Sequence, residues 1–175
     1  MKKILFILGT ARKDRVSEKV ANFVLETAKE RGDIEPIFVD VKDYPQTHTG
    51  GLDKELTEKY NGIIRDASGI IIISPEYNHG YPGELKLLLD SAYDAYRGKS
   101  VSICGVSSGP IGGARMVEQL KLVLSAFQLT IVNSAVYFSN ISDSFMETKD
   151  ETNKKQWKDR VNGMLNDVLN YSSKT

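Results

Sequence analysis

Four consecutive isoleucines at residues 70–73 are followed at once by a stretch of prolines, glycines and polar aromatic residues, 74–83. A short run that is apolar at every position is typical of a strand buried on both faces. Pro75 and Pro82 cannot donate a backbone hydrogen bond, so the strand must end there. Because ligands of open α/β sheets bind where strands end, residues 74–83 are the first candidates for a functional site. An ordinary polar turn between a strand and a helix is the alternative.

The rest of the chain repeats this alternation of strand and helix. We predict strands at residues 3–8, 34–39, 70–74, 100–106 and 130–136. We predict helices at residues 17–31, 53–66, 84–96, 114–127 and 154–171. Five strands alternating with five helices favour an α/β fold, a parallel sheet with helices on both faces, and suit the flavodoxin-like order 2-1-3-4-5. Without an internal repeat or a linker, the 175 residues are most simply a single domain, 1–175.

Composition and charge argue against several other classes of function. Lys+Arg and Asp+Glu are equal at 23 each, so no excess charge favours nucleic acid or an anionic membrane. The single cysteine, Cys104, excludes an internal disulfide and lies in an apolar run, which is more typical of a small buried residue than of a nucleophile. The two histidines have no metal-ligand spacing, so we expect no metal site. The first apolar run ends at Leu8, too short for a signal peptide, and no run approaches the ~20 residues of a membrane span. We therefore expect a cytoplasmic protein.

In the predicted order, the loops after strands one, three and four meet at the carboxyl edge of the sheet. The first, residues 9–17, lacks the glycine pattern of dinucleotide sites and the Gly-Lys-Ser/Thr ending of P-loops. It supplies the hydroxyls of Thr10 and Ser17, the guanidinium of Arg12 and a helix amino end, which together suit a phosphate monoester. Ser17 as a plain N-cap and Arg12 as a solvated surface charge are the alternatives.

The third loop, residues 107–113, contains three glycines, so its backbone can approach something flat or bulky. A flexible turn at a glycine-rich helix start is the alternative. Together the three loops predict a site for a flat ring that carries a phosphate tail. The loop 42–52, rich in glycine, threonine and proline, is a candidate cover for such a site.

At these residues the sequence resembles the NADPH-dependent FMN reductase family of flavodoxin-like proteins, which includes quinone, chromate and azo reductases. The matching motifs cover the chain to about Leu124: Gly-Thr-Ala-Arg at 9–12 with Ser17, Pro-Glu-Tyr-Asn at 75–78 before Pro-Gly-x-Leu-Lys at 82–86, and Gly109 with Gly112, Gly113 and Arg115. The chain departs from the family pattern at Thr10 in place of serine, at Glu18 and Lys19 after the helix-start serine, and at Leu87 in place of asparagine.

The resemblance implies tightly bound FMN, with NADPH or NADH as co-substrate. The phosphate would be held by Thr10, Arg12, Ser17 and the backbone of Glu18 and Lys19. The ribityl chain and one ring edge would be lined by Pro75, Glu76, Tyr77 and Asn78. The pyrimidine side of the ring would be contacted by Ser107, Ser108 and Gly109.

The implied reaction is ping-pong hydride transfer from NAD(P)H, through FMN, to a small-molecule electron acceptor such as a flavin, a quinone or an azo compound. It requires no nucleophile or base from the protein, so we predict no catalytic side chain. Tyr77 or Tyr81 would stack on a ring or simply pack, and His79 would lie near the acceptor or be merely exposed. The resemblance also implies a homodimer or homotetramer, in which Tyr93, Tyr96 and the helix from Leu85 either contact a partner or pack in the core.

Two relatives of the fold are excluded by residue type. A low-molecular-weight tyrosine phosphatase needs a cysteine in the first loop, and a receiver domain needs an aspartate at the end of strand three, where this chain has Ser74. An FMN-binding electron carrier or redox sensor without efficient NAD(P)H turnover remains the alternative. A strongly acidic surface would favour a carrier, and the balanced charge does not.

Overall fold

The computed structural model describes residues 1–45, 51–142, 145 and 151–172. The strands are β1 (Lys2–Leu8), β2 (Ile34–Asp40), β3 (Gly69–Pro75), β4 (Ser100–Val106), β5 (Thr130–Ile131) and β6 (Val136–Phe138). The α-helices are α1 (Ser17–Lys29), α2 (Lys54–Asp66), α3 (Gly83–Asp90), α4 (Ala114–Ala126) and α5 (Glu151–Ser172). Short 3-10 turns lie at Val41–Asp43 and Asp94–Tyr96.

The strands form a parallel sheet of order β2-β1-β3-β4-β5. β5 pairs with the first residues of β4, and β6 pairs with the last three residues of β4. The predicted flavodoxin-like order is therefore confirmed. All seven residues of β3, between β1 and β4, are buried. Alternate isoleucines of this strand face opposite sides of the sheet, as the pleat requires. Ile70 and Ile72 pack with α2, α3 and α4, whereas Ile71 and Ile73 pack with α1 and α5.

Cys104 lies in the layer beneath α1 and α5, with its Sγ 3.6 Å from Sδ of Met164. Burial raises the pKa of the Cys104 thiol, so the thiol stays protonated at neutral pH. This is the behaviour of a small apolar core residue, as the sequence predicts, and not of a nucleophile.

Two predicted elements differ from the structure. The strand predicted at 130–136 is two short strands, because Ala135 N–H turns back to the Asn133 carbonyl at 3.0 Å and interrupts the pairing. The helix predicted at 84–96 ends at Asp90, and residues 94–96 form a separate 3-10 turn. That turn buries Tyr96 completely, with its hydroxyl 2.7 Å from the hydroxyl of Tyr60. Tyr96 is thus a core residue, and its suggested role at a subunit contact is wrong.

Residues 46–50 of the predicted covering loop, with His48, lie outside the described residues, so its covering role stays a prediction. Among the residues that are described, no helix has the length and apolar character needed to cross a membrane.

Candidate functional site

The loops after β1, β3 and β4 meet at the carboxyl edge of the sheet around a cleft of about 290 Å³. The structure brings seven of the predicted site residues together in its lining: Arg12, Ser17, Pro75, Glu76, Tyr77, Ser107 and Ser108. The lining is completed by residues that the sequence did not single out: Asp14, Arg15, Val16, Val106 and Ile141.

Ser17 contributes a buried and unpaired hydroxyl to this cleft. It is the first residue of α1, Val16 occupies the N-cap position, and no side chain caps the helix. The alternative of Ser17 as a plain N-cap is therefore wrong. The residue is only 3% exposed, and its Oγ has no hydrogen-bond partner among the described residues. An unpaired buried hydroxyl costs about 1–3 kcal/mol, so its presence favours a ligand group at this point.

Backbone donors lie beside that hydroxyl. In the described part of the chain, no acceptor is recorded for the amides of Arg15, Val16 and Ser17. The amides of Glu18 and Lys19, predicted to reach the phosphate, already donate to the carbonyls of Arg15 and Val16. The unpaired donors therefore lie half a turn earlier than predicted. Unpaired amides at a helix amino end are a common site for anions.

Thr10 is fully buried, and its hydroxyl is satisfied by the protein. It donates to Oε1 of Glu84 at 2.9 Å and accepts from the amide of Arg12 at 3.2 Å. Because its single hydrogen is used, the hydroxyl of Tyr77, 3.2 Å away, must be the donor of their shared bond. Thr10 thus joins the first loop to the second and to α3, and its predicted contact with phosphate stays a prediction.

Arg12 provides an exposed cation in the first loop and, unlike the neighbouring exposed Lys13, it lines the cleft. Its guanidinium carbon lies 5.6 Å from the ring centroid of Tyr77, and no ion pair of Arg12 is recorded with another described residue. An arginine that stacks on an aromatic ring keeps its hydrogen-bond donors available at the edge. It is therefore placed to pair with an anion in the cleft.

The second loop, residues 74–83, contains a tight turn. The amide of Tyr77 donates to the carbonyl of Gly80 at 2.9 Å, and the reverse bond is 3.0 Å. Between them Asn78 and His79 have φ of 48° and 71°, the left-handed pair of a type I′ turn. Both residues are exposed at the tip of this turn, and neither lines the cleft. Asn78 is thus a predicted site residue that the structure does not bring together with the others.

Glu76 points to the start of α4. Its carboxylate accepts from Nε and Nη2 of Arg115, at 2.8 and 2.5 Å, and from the amide of Met116 at 3.3 Å. Burial alone would raise the pKa of Glu76, but these hydrogen bonds outweigh it and hold the pKa below its usual value. The ionised side chain thereby ties the second loop to α4 and complements the positive end of that helix.

The third loop is paired with the end of β6 and with the segment that follows it. Ser107 N–H donates to the Phe138 carbonyl at 3.0 Å, and Ile141 N–H donates to the Ser107 carbonyl at 3.1 Å. The carbonyl of Gly109 accepts from the amide of Asn140 at 2.9 Å. This pairing places Ile141 in the cleft. The sequence treated that segment only as a loop, and no motif marked it.

The glycines of this loop do not all face a ligand. A Cβ on Gly112 would lie 2.7–2.9 Å from atoms of Tyr137, and the carbonyl of Gly112 would lie 2.4 Å from a Cβ on Gly105. Gly112 and Gly113 therefore allow the loop to pack closely on the protein itself. Gly109 is the exception, since a Cβ there would meet nothing closer than 3.9 Å. The interpretation that all three glycines admit a flat ligand is wrong for the other two.

A larger cavity of about 630 Å³ lies between α1 and α5 and shares Ile141 with the cleft. The unpaired hydroxyl and amides select the smaller cleft as the candidate site.

A flavodoxin-like sheet whose carboxyl edge offers unpaired anion donors beside an aromatic side chain is suited to a phosphorylated ring compound. The sequence profile of the NADPH-dependent FMN reductase family matches residues 2–143. The chain belongs to that family and is an oxidoreductase. The predicted cofactor and co-substrate, FMN and NAD(P)H, are confirmed at the level of the family.

Curated relatives agree with this assignment. The chain is 32% identical to an NAD(P)H-dependent FMN reductase of Schizosaccharomyces pombe, over 74% of this chain and 68% of the relative. It is 30% identical to a 2-hydroxy-1,4-benzoquinone reductase of a Burkholderia species, over 75% and 74%. A solved structure, the flavoenzyme FerB, an NAD(P)H:(acceptor) oxidoreductase of Paracoccus denitrificans, superposes with a TM-score of 0.82. At 22% identity over 98% of this chain and 99% of that one, it supports the fold.

Proposed function

We propose that this protein uses bound FMN to pass hydride from NAD(P)H to a small-molecule acceptor such as a flavin, a quinone or an azo compound. The observation that carries the proposal is the buried, unpaired hydroxyl of Ser17 at the phosphate end of a cleft that also holds Tyr77. Membership of the NADPH-dependent FMN reductase family supports the reaction class. When bound, FMN supplies the group that accepts and then gives up hydride, while the protein supplies binding and orientation.

The residues present fit the phosphate of FMN. Ser17 Oγ and the amides of Arg15–Ser17 would each donate a hydrogen bond, and Arg12 would supply the positive charge. In this assignment Thr10, Glu18 and Lys19 shape the loop, since their donors are already used within the protein or lie outside the lining. The phosphate would thereby anchor one end of the cofactor at the start of α1.

The other two loops fit the ribityl chain and the ring. Pro75 and Tyr77 would line one side, and Ser107 and Ser108 the opposite side. The amide of Gly109, for which no acceptor is recorded in the described part of the chain, would donate to the pyrimidine edge, where it stabilises negative charge. No side chain in the lining is needed as an acid or a base. NAD(P)H and the acceptor would then use the same open side of the cleft in turn, which gives ping-pong kinetics.

Rapid mixing tests this function. The purified protein is loaded with FMN and mixed anaerobically with NADPH or NADH. The absorbance of the oxidised flavin should disappear at a rate at least as fast as steady-state turnover, and it should return when a quinone is added. Initial rates at several fixed acceptor concentrations should give parallel double-reciprocal lines. Flavin that binds but stays oxidised would instead establish the electron carrier or redox sensor. A protein that binds no FMN would remove the cofactor from this site.

We also propose a homodimer or homotetramer. Tyr93 is 54% exposed and Leu87, at the family's asparagine position, is 37% exposed, so both are available to a partner. Light scattering during size-exclusion chromatography tests the assembly, and a monomer at micromolar concentration would contradict it.

A further inference from the structure

The Thr10–Ala11 peptide at the start of the first loop is held from both sides by charged groups. Its carbonyl accepts a hydrogen bond from Nη1 of Arg15, and its N–H donates to Oε1 of Glu84 at 3.0 Å. A trans peptide points its carbonyl and its N–H in opposite directions, so the two contacts together fix the rotation of the peptide plane. Neither Arg15 nor Glu84 was singled out from the sequence.

The side chain of Arg15 is itself fixed by acidic side chains. Its side chain is 3% exposed, and its guanidinium pairs with both carboxylate oxygens of Asp40, at the end of β2, with Nη1–Oδ1 at 2.8 Å. Its Nε lies 3.4 Å from Oε2 of Glu18. With the bond to the Thr10 carbonyl, four of its five donor hydrogens are used. The charge of Arg15 is therefore balanced inside the protein. Of the other two cations in the first loop, Arg12 lines the cleft and Lys13 does not, so Arg12 is the one placed to meet a ligand.

Glu84 holds the opposite side from the first turn of α3. The same oxygen that accepts from Ala11 N–H also accepts the hydroxyl of Thr10 at 2.9 Å. In the motif Pro-Gly-x-Leu-Lys, through which the sequence resembles the family, Glu84 occupies the position that the motif leaves unspecified. Hydrogen bonds to a carboxylate are stronger than those between neutral groups. A single side chain thus anchors the two residues that precede Arg12.

We propose that Arg15 and Glu84 form a clamp on the Thr10–Ala11 peptide that preorganises the phosphate-binding loop and so sets the preference for FMN over riboflavin. Both are positioning residues, because each acts through the backbone of the loop. A loop ordered in advance pays less conformational entropy when it binds, and the gain is confined to the ligand that has a phosphate. The inference rests on the proposed function, in which this loop receives the phosphate of FMN.

The test compares dissociation constants for FMN and for riboflavin, measured by quenching of flavin fluorescence. Wild-type protein should bind FMN more tightly than riboflavin. Glu84→Ala should weaken FMN binding by about tenfold or more, the scale of one charge-assisted hydrogen bond, and change riboflavin binding by less than about threefold. Glu84→Gln keeps an acceptor oxygen and should retain at least part of the FMN affinity. Glu118→Ala removes an exposed carboxylate of α4 and should change neither constant.

The outcomes separate the clamp from the proposed function. Equal binding of FMN and riboflavin by the wild type would contradict phosphate binding itself. With wild-type preference intact, equal loss of both affinities in Glu84→Ala, or no loss, would overturn the clamp. Tighter FMN binding in Glu84→Ala would mean that the carboxylate occupies donors that the phosphate needs, and would also overturn it. Arg15→Lys, which keeps the charge but not the forked geometry, should weaken FMN binding selectively if it folds.

Discussion

Replacing Ser17 by alanine should change flavin-free stability and FMN affinity in opposite directions. The Ser17 hydroxyl is buried without a partner among the described residues, so its removal relieves a desolvation cost in the flavin-free protein. The same hydroxyl, in our assignment, donates to the phosphate of FMN, so the variant loses a charge-assisted bond when FMN is bound.

The expected sizes follow from these two contributions. Relief of the unpaired hydroxyl should stabilise the flavin-free protein by about 1 kcal/mol or more, and for a chain of this length each kcal/mol raises Tm by about 2–4 °C. Loss of a hydrogen bond to a charged group costs about 1.5–3 kcal/mol, which weakens FMN binding by about 10- to 150-fold. Riboflavin, which has no phosphate, should bind the variant and the wild type alike.

Ser100→Ala is the matched control. Ser100 is also buried, at 1% exposure, but its Oγ donates to the carbonyl of Val168 at 2.9 Å. Deleting that satisfied hydroxyl should lower stability by about 1 kcal/mol and leave FMN affinity unchanged. Thermal unfolding without flavin and titration with FMN measure both effects. If Ser17→Ala lowers Tm as Ser100→Ala does and binds FMN with wild-type affinity, the reasoning is refuted.

Two further predictions concern the surroundings of the cleft. Gly112→Ala should destabilise the protein by about 2–5 kcal/mol, because φ there is 59° and the new Cβ would lie 2.7 Å from the carbonyl carbon of Tyr137. Gly62→Ala, in open space on α2, should instead stabilise by up to about 1 kcal/mol, and urea unfolding that moves both variants the same way would contradict this account. Asp40→Asn removes the buried anion that pairs with Arg15 and leaves only the longer contact with Glu18, so it should cost about 3–5 kcal/mol at pH 7. Burial alone would raise the pKa of Asp40, but hydrogen bonds from Arg15 and Lys42 outweigh burial and lower the pKa. The difference in unfolding free energy between wild type and Asp40→Asn should therefore shrink as pH falls below about 4, where the unfolded chain begins to bind the proton. An equal difference at pH 7 and pH 3.5 would contradict this account of Asp40.

The fold could be predicted because each element has a local signal. The isoleucine run of β3 is apolar at every position, and this pattern fits a strand covered on both faces. Where two short strands follow each other closely in the sequence, the boundary between them is predicted wrongly. Residues 130–136 are suitable for a strand throughout, but the turn at Asn133–Ala135 depends on pairing with β4, which lies far away in the sequence. Tertiary contacts, and not local propensity, decide such breaks.

The site could be predicted to the level of its loops but not of its individual contacts. Motif spacing marked the first loop as the candidate phosphate site, and the parallel sheet then brought its neighbours to the same edge. The role of Arg15 depended on Asp40, 25 residues away, and that of Glu84 on an amide 73 residues away. In the sequence both look like ordinary surface charges. The end of β2, next to β1 in the predicted order, was the available signal for the first pair.

The hydrogen-bonding groups around the first loop are satisfied and unsatisfied in a pattern that fits a preformed anion site. Around the first loop, the protein satisfies the hydroxyl of Thr10, the guanidinium of Arg15 and the carboxylate of Glu84. The hydroxyl of Ser17 and the amides just before it are left without acceptors in the described structure. Buried polar groups are normally paired, so leaving these donors unpaired costs the loop free energy. A bound anion would accept hydrogen bonds from the same donors and remove that cost. A loop whose frame is satisfied and whose donors are not can bind phosphate without rearranging, and this is the property that would distinguish FMN from riboflavin.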